Sequence, residues 1–156
     1  MSGKFISIEG IAKRYPVRGR VGEETAIFED LFASHGWTDS WRDRIHDFLH
    51  FHTHRHEVLG IARGRVQVAF GGAKGKHVRL KAGDVVILPA GTGHRCIEAS
   101  DDLLVVGAYP QNSGAYDQPR PKEVDHQQAV RNIAKVARPK ADPVYGSQGP
   151  LIALWP

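Results

Sequence analysis

Residues 46–60 read HDFLHFHTHRHEVLG, and the spacing inside this stretch decides what the chain can be. Five of the nine histidines crowd into residues 46–56: His46, His50, His52, His54 and His56. A purification tag would be an uninterrupted terminal run, whereas this cluster is internal and interleaved with Phe48, Leu49, Phe51 and Glu57, so it belongs to the fold. In a strand, residues two apart point the same way, and His50 and His52 can therefore present two imidazoles to one interior point. Glu57 is out of phase by one. The intervening Thr53-His54-Arg55-His56 must turn or bulge so that the next strand returns Glu57 to the same centre, with Leu59 and Ile61 on its inward face. Further on, Gly83-Asp84, then Pro89-Ala90-Gly91, then His94 read as a strand, a tight turn and a strand whose first inward residue is a third imidazole.

Outward from this stretch, residues 46–109 break into short apolar segments punctuated by Gly, Pro and Asp. The pattern predicts strands over 46–52, 57–63, 65–70, 77–81, 84–88, 94–98 and 103–109, with turns at Gly64, at 71–75, at Ala82-Gly83-Asp84 and at Ser100-Asp101-Asp102. Regular short strands imply an all-β, single-domain antiparallel sandwich or barrel. Val66, Val68 and Phe70 alternate with Arg65, Gln67 and Ala69, as a half-buried strand requires. Val85-Val86-Ile87-Leu88 and Leu103-Leu104-Val105-Val106 are apolar on both faces, so the N-terminal helix, the C-terminal arm or a second subunit must cover their outer side. Outer faces at Val86 and Leu88 would suit a homodimer paired through its sheets.

The flanks differ from this core. Residues 1–43 read as an arm with a short strand around Phe5, Ile6 and Ile8 and a helix over 23–34, which carries Ile27, Phe28, Leu31 and Phe32 on one face and ends at Gly36. Residues 44–110 form the barrel core. Residues 111–156 hold most of the prolines, which excludes a long helix or a central strand. They read as an ordered arm, helical around 124–131, whose apolar end Leu151-Ile152-Ala153-Leu154-Trp155 docks on the barrel.

Composition narrows the function classes. A chain of 156 residues with 41% hydrophobic and 24% charged residues is neither a disordered tail nor a membrane protein. The start carries no apolar run of signal-peptide type, and the single Cys96 allows no intramolecular disulfide, so a reducing cytoplasm is the expected compartment. The net charge of +4 concentrates in residues 120–140, where six basic residues face two acidic ones. That segment contains no Phe, Tyr or Trp and reads as a solvated basic face, with no nucleic-acid partner.

His50, His52, Glu57 and Gly64, followed by Gly83, Pro89, Gly91 and His94, resemble the two motifs of the cupin superfamily, small jelly-roll barrels of the RmlC-like type. Two motif positions depart from the pattern: Arg44 stands for the leading Gly and Glu98 for the closing Asn. More loosely, the stretches 37–42, 56–61, 104–110, 142–146 and 149–151 are similar to the small YjlB-like bacterial cupins. The resemblance implies that His50, His52, Glu57 and His94 hold one divalent metal ion, of Fe, Mn, Ni, Co or Zn type, with open positions for water, O₂ or a chelating substrate. It also implies an activity of dioxygenase or isomerase type on a small polar molecule. The rival readings are a non-catalytic binding or sensor cupin, and a metal-free structural dimer.

Other residues have weaker claims. His54 and His56 sit in the turn and could replace a ligand or support one from behind. His46 shares the phase of His50 and could line the cavity mouth. An isomerase needs a base beyond the ligands, for which His46 and Glu98 are the candidates, and Tyr109 could reach substrate near a strand end. Cys96 shares the phase of His94 and should face inward near the metal, as a small core residue or, like His54 and His56, as a substitute for a ligand or a support behind one. Trp37, Trp41 and Trp155 are expected to pack the flanks onto the barrel.

Overall fold

The computed structural model describes residues 5–9, 23–72 and 74–156, so most of residues 1–22, part of the N-terminal arm, and Ala73, part of the expected 71–75 turn, lie outside the described residues. The strands are β1 (Ile6–Ile8), β2 (Trp37–Asp43), β3 (Glu57–Arg63), β4 (Arg65–Phe70), β5 (Lys76–Lys81), β6 (Val85–Leu88), β7 (His94–Ala99) and β8 (Leu104–Pro110). The helices are α1 (Glu24–Ser34), α2 (His126–Ala134) and the short α3 (Pro150–Leu154), with a 3₁₀ turn at Pro121–Glu123. Two antiparallel sheets result, one ordered β1-β6-β3-β8-β2 and one ordered β5-β4-β7. This is the jelly-roll class that the strand spacing implies.

The apolar sequence pattern divides cleanly between the two sides of the larger sheet. Leu59, Ile61, Val86, Leu88 and Val105 point between the sheets and meet Val66, Val68, Phe70 and Leu80 of the smaller one. The alternate residues Val58, Val85, Ile87, Val106 and Ala108 point outward and are met by Phe28 and Phe32 of α1 and by Val144, Leu151 and Trp155 of the C-terminal arm. Strands β6 and β8 are apolar on both faces because both faces are covered within one chain. Gly60 in β3 makes room for this cover: a Cβ there would come within 2.7 Å of the Phe28 ring.

Three expectations need correction. Val86 and Leu88 do not form an outer face; they are buried between the sheets, and the outward neighbours Val85 and Ile87 are covered by the chain itself. The argument for a dimer from that face therefore loses its basis. Residues 46–52 do not form a strand beyond the single bridge between His50 and His94. Cys96 N–H bonds to His46 O while His50 and His94 exchange backbone bonds, so Asp47-Phe48-Leu49 bulge out opposite a single residue and break the ladder. Finally, β2 was not expected. Its sequence WTDSWRD is mostly polar and half exposed because it forms the edge of the larger sheet, with a register shift between Thr38 and Trp41 around Asp39, whose φ is 53°.

The C-terminal arm is tied down at several points. Asp125 caps α2 by accepting from Gln128 N–H, and the buried Asp142 carboxylate accepts from the N–H groups of Val144, Tyr145 and Leu151. Leu151 and Trp155 are buried. No helix of the described residues is long and apolar enough to cross a membrane.

Candidate metal centre

The centre lies at one end of the barrel, where elements from both sheets converge. Glu57 opens β3 opposite Leu88, and His94 opens β7 opposite Phe70. His50 and His52 ride on the irregular segment that crosses from β2 to β3. The bridge to His94 places His50, and the bond from Gly91 N–H to His52 O places His52 beside the turn that precedes β7. All four residues are buried, none more than 4% exposed.

The ring orientations are fixed from behind. His50 Nδ1 bonds to Phe48 O at 3.0 Å, His52 Nδ1 to Asp117 O at 2.5 Å and His94 Nδ1 to Thr92 O at 2.9 Å. A carbonyl only accepts, so each Nδ1 must carry the hydrogen, and in the neutral ring this leaves Nε2 as a bare lone pair. One ligand nitrogen from each ring lies within 4.8 Å of the other two. Glu57 closes the group: Oε2 is 3.3 Å from His52 Nε2 and Oε1 is 3.3 Å from His94 Nε2. His52 Nε2 is nevertheless left without a well-directed hydrogen bond, a buried polar atom with nothing to satisfy it. Three lone pairs, one of them on the orphaned His52 nitrogen, and one carboxylate aimed at a common point fit a divalent cation.

The electrostatics agree with this fit. Burial, helped by the neighbouring His94, lowers the pKa of His50 to about 4, so its ring is neutral at physiological pH. Burial alone would raise the Glu57 carboxyl, but the facing His52 and His94 outweigh it and hold the group well below the usual carboxylate range. For His52, burial pulls downward while the Glu57 charge pulls upward and prevails. A positive charge is thus favoured between His52 and Glu57, and the proton that supplies it can be displaced by a cation.

A cavity of about 450 Å³ leads from the histidines to the surface. Its walls include Leu59, Trp41, Tyr109, Tyr116, Arg55 and His46. Trp41 Nε1–H donates to the Tyr109 hydroxyl at 2.9 Å. Gly107 permits that seat, since a Cβ there would stand 2.1 Å from the Trp41 ring. Burial, and secondarily the Glu57 charge, keep the Tyr109 phenol protonated far above neutral pH. The Tyr109 and Tyr116 rings both pack against His52, with centroids 6.1 and 5.6 Å away.

The remaining sequence candidates separate. His46 stands exposed in the cavity wall, stacked on Phe48 and edge-on to His50. Tyr109 lines the cavity, and Trp41 does so against expectation, while Trp37 and Trp155 pack the flanks. Glu98 is exposed on β7 beside a separate surface depression with Arg65 and Arg79, because the bulge facing β4 and the strand's outward phase carry it away from the cavity. It cannot serve as a base there. Cys96 is partly buried against the core between the sheets and does not line the cavity, and burial pushes its thiol pKa up, which makes it a poor nucleophile. His54 borders a different groove. His56 is buried with both ring nitrogens occupied, Nδ1 accepting from Ala90 N–H and Nε2–H donating to Ala137 O, so it braces the turn before His94 and holds the arm.

Sequence reading missed Asp117, Arg55, Tyr116 and Arg44. Asp117 grips Thr53 through its N–H and hydroxyl while its carbonyl orients His52. It is one acid in a Pro-rich arm, and nothing local in the sequence marks it. Arg44, where a glycine was expected, straps the entry segment to the carbonyls of Ser100, Asp101 and Leu103.

Residues 46–106 match the family model described as a cupin domain. The chain is 37% identical to the uncharacterized protein YjlB of Bacillus subtilis (strain 168) over 133 residues, covering 85% of this chain and 80% of that protein. Among solved structures it is similar to acireductone dioxygenase from Bacillus anthracis with a cadmium ion in its active centre, at 16% identity, 72% and 82% coverage of the two chains and a TM-score of 0.49. It is also similar to RmlC from Streptococcus suis in complex with dTDP-D-xylose, at 13% identity, 82% and 72% coverage and a TM-score of 0.37.

Proposed function

We propose, from the premise that this chain belongs to the cupin family, that it is a mononuclear divalent-metal enzyme acting on a small polar molecule that chelates the ion. His50, His52 and His94 would hold the ion through Nε2, and Glu57 would neutralise part of its charge. The observation that carries this reading is the backbone bonding of all three Nδ1 atoms, which turns three buried lone pairs toward one point. A bound ion would supply Lewis-acid polarisation and, if redox-active, an electron.

The chain's own residues have definite duties in such a site. Leu59, Trp41 and the tyrosine rings form a wall that excludes water around the ligand. The Tyr109 oxygen accepts from Trp41 while its hydroxyl faces Glu57 and Tyr116, so its hydrogen would turn from these partners to an oxygen atom of the substrate. His46, exposed in the cavity wall, can carry a proton between ligand and solvent in an isomerase-type reaction. The accessible cavity beside the histidines supports an open site over the closed shell that a purely structural or sensor role would favour. A reducing, cytoplasmic setting belongs to this proposal, since it would keep Cys96 and a ferrous ion reduced.

The test is an oxygen-electrode screen of chelating organic acids with Fe(II)-loaded protein, paired with an anaerobic NMR screen using Mn(II)-, Ni(II)- and Zn(II)-loaded protein. Oxygen uptake that disappears in His52→Ala supports the dioxygenase branch. Anaerobic turnover with the same dependence supports the isomerase branch. Tight metal binding without turnover in either screen would favour a sensor instead.

A further inference from the structure

The cavity mouth carries three arginines, and two of them are committed elsewhere. Arg42 Nε bonds to Glu29 and the Arg42 side chain is exposed, while Arg44 is held by the three carbonyls of the turn before β8. Arg55 is different. Its side chain is only 14% exposed, and its guanidinium lies over the Tyr109 ring at 4.9 Å from the centroid. The Tyr109 ring also meets His52 edge-on, 6.1 Å between centroids. Nε–H donates to Gly114 O at 2.6 Å, which fixes the plane of the fork. Nη1 reaches only Asp39, at 3.2 Å, and that carboxylate is 69% exposed. Nη2 has no hydrogen bond among the described residues.

A guanidinium so placed is oriented and shielded, yet only loosely compensated. An exposed carboxylate partner contributes little in water and is readily exchanged, whereas a ligand oxyanion arriving from inside the cavity would meet the fork where solvent is largely excluded. The acidic groups facing this part of the cavity are Asp39 and Asp43 at the exposed mouth and Glu57 at the floor, where it belongs to the histidine cluster.

We infer that Arg55 selects substrates with a second anionic group: a metal-chelating head at the histidines and an oxyanion tail, carboxylate or phosphate, that binds the Arg55 fork over Tyr109. This rests on the proposed metal site for the head but not for the tail. Arg55 thus acts as a specificity residue, and the substrate class becomes that of small bifunctional acids.

The test uses three acids that share an α-hydroxycarboxylate head: lactate with no tail, malate with a carboxylate tail and 3-phosphoglycerate with a phosphate tail. Affinities are measured by calorimetry on Co(II)-loaded protein, with the cobalt absorption band reporting the metal site separately. The expected result is that malate, phosphoglycerate or both bind about tenfold or more tightly than lactate. Arg55→Met, which keeps the packing on Tyr109, should erase that advantage and leave lactate unchanged. Asp39→Asn, at an exposed position that tolerates the left-handed backbone, should increase the advantage by freeing Nη1. Which tailed acid gains more separates carboxylate from phosphate. Equal affinities for all three acids, no binding of either tailed acid, or an advantage that persists in Arg55→Met overturns the inference. Loss of the cobalt band would instead count against the metal site, and the preference for a tail is then read on the metal-free chain, where it should persist.

Discussion

Acidification should destabilise the fold through one buried ring, His56. It is 1% exposed, with Nδ1 accepting from Ala90 N–H at 2.9 Å and Nε2–H donating to Ala137 O at 3.0 Å. A proton has no place on Nδ1 without confronting that N–H donor. Burial lowers the folded pKa to about 4, even though the Ala137 carbonyl pulls the other way, against 6.5 for a free histidine. Between these two values the unfolded chain binds more protons than the folded one. Stability from this residue is therefore fully present above pH 6.5 and is lost as the pH falls toward 4. The linkage relation gives a loss of about 2 kcal/mol by pH 5 and on the order of 3 kcal/mol at its limit, a large share of a typical stability of about 5–15 kcal/mol. The assay is urea unfolding at a series of pH values, with chelator present so that ion loss does not contribute, comparing the wild type with His56→Gln. The variant should be less stable at pH 7 by roughly 1–3 kcal/mol, from two disturbed backbone bonds, and should show an acid slope that is shallower for want of His56 but not flat, because His50 still contributes its own depressed pKa. Parallel slopes for the two proteins, or an imidazole NMR signal of His56 titrating near 6.5 in the folded state, would refute the reasoning.

Two further perturbations address the site's walls and supports. Gly107→Ala places a Cβ about where the Trp41 ring sits, so the ring must leave Tyr109; the expected cost is about 1–3 kcal/mol in urea unfolding with altered tryptophan fluorescence, and unchanged values of both would show that Trp41 is not seated there. Asp117→Ala removes the grip on Thr53 and loosens the carbonyl that orients His52; metal affinity by calorimetry should fall about 10- to 100-fold, and an unaltered affinity would contradict that support.

Much of the centre was legible because it follows from local spacing. His50 and His52 two apart, Glu57 beyond a turn and His94 behind Pro89-Ala90-Gly91 are distances along the chain, and the barrel end brings them together as read. The errors arose where tertiary pairing decided the outcome. Residues 46–52 carry a strand-like composition, yet the bulge at 47–49 leaves one bridge, and β2 has a loop-like composition because an edge strand needs little apolar surface. His56 and Glu98 were weighed by proximity in sequence, whereas their burial, partners and strand phase assign them to other places. Much of the cavity wall comes from 41, 55, 109 and 116, positions whose convergence depends on the β2–β8 pairing and on how the arm crosses the barrel mouth. The double-sided apolar pattern of β6 and β8 did announce a cover, and of the three it allowed, the chain's own helix and arm supply it.

The central claim is that three imidazoles and Glu57 form a metal site, and elemental analysis tests it most directly. Protein purified without an affinity tag should carry close to one transition-metal ion per chain, or take up one on titration after stripping, and His52→Ala and His94→Ala should carry none while remaining folded. Wild-type protein that contains no metal and binds none of Mn(II), Fe(II), Co(II), Ni(II) or Zn(II) on reconstitution would contradict the account.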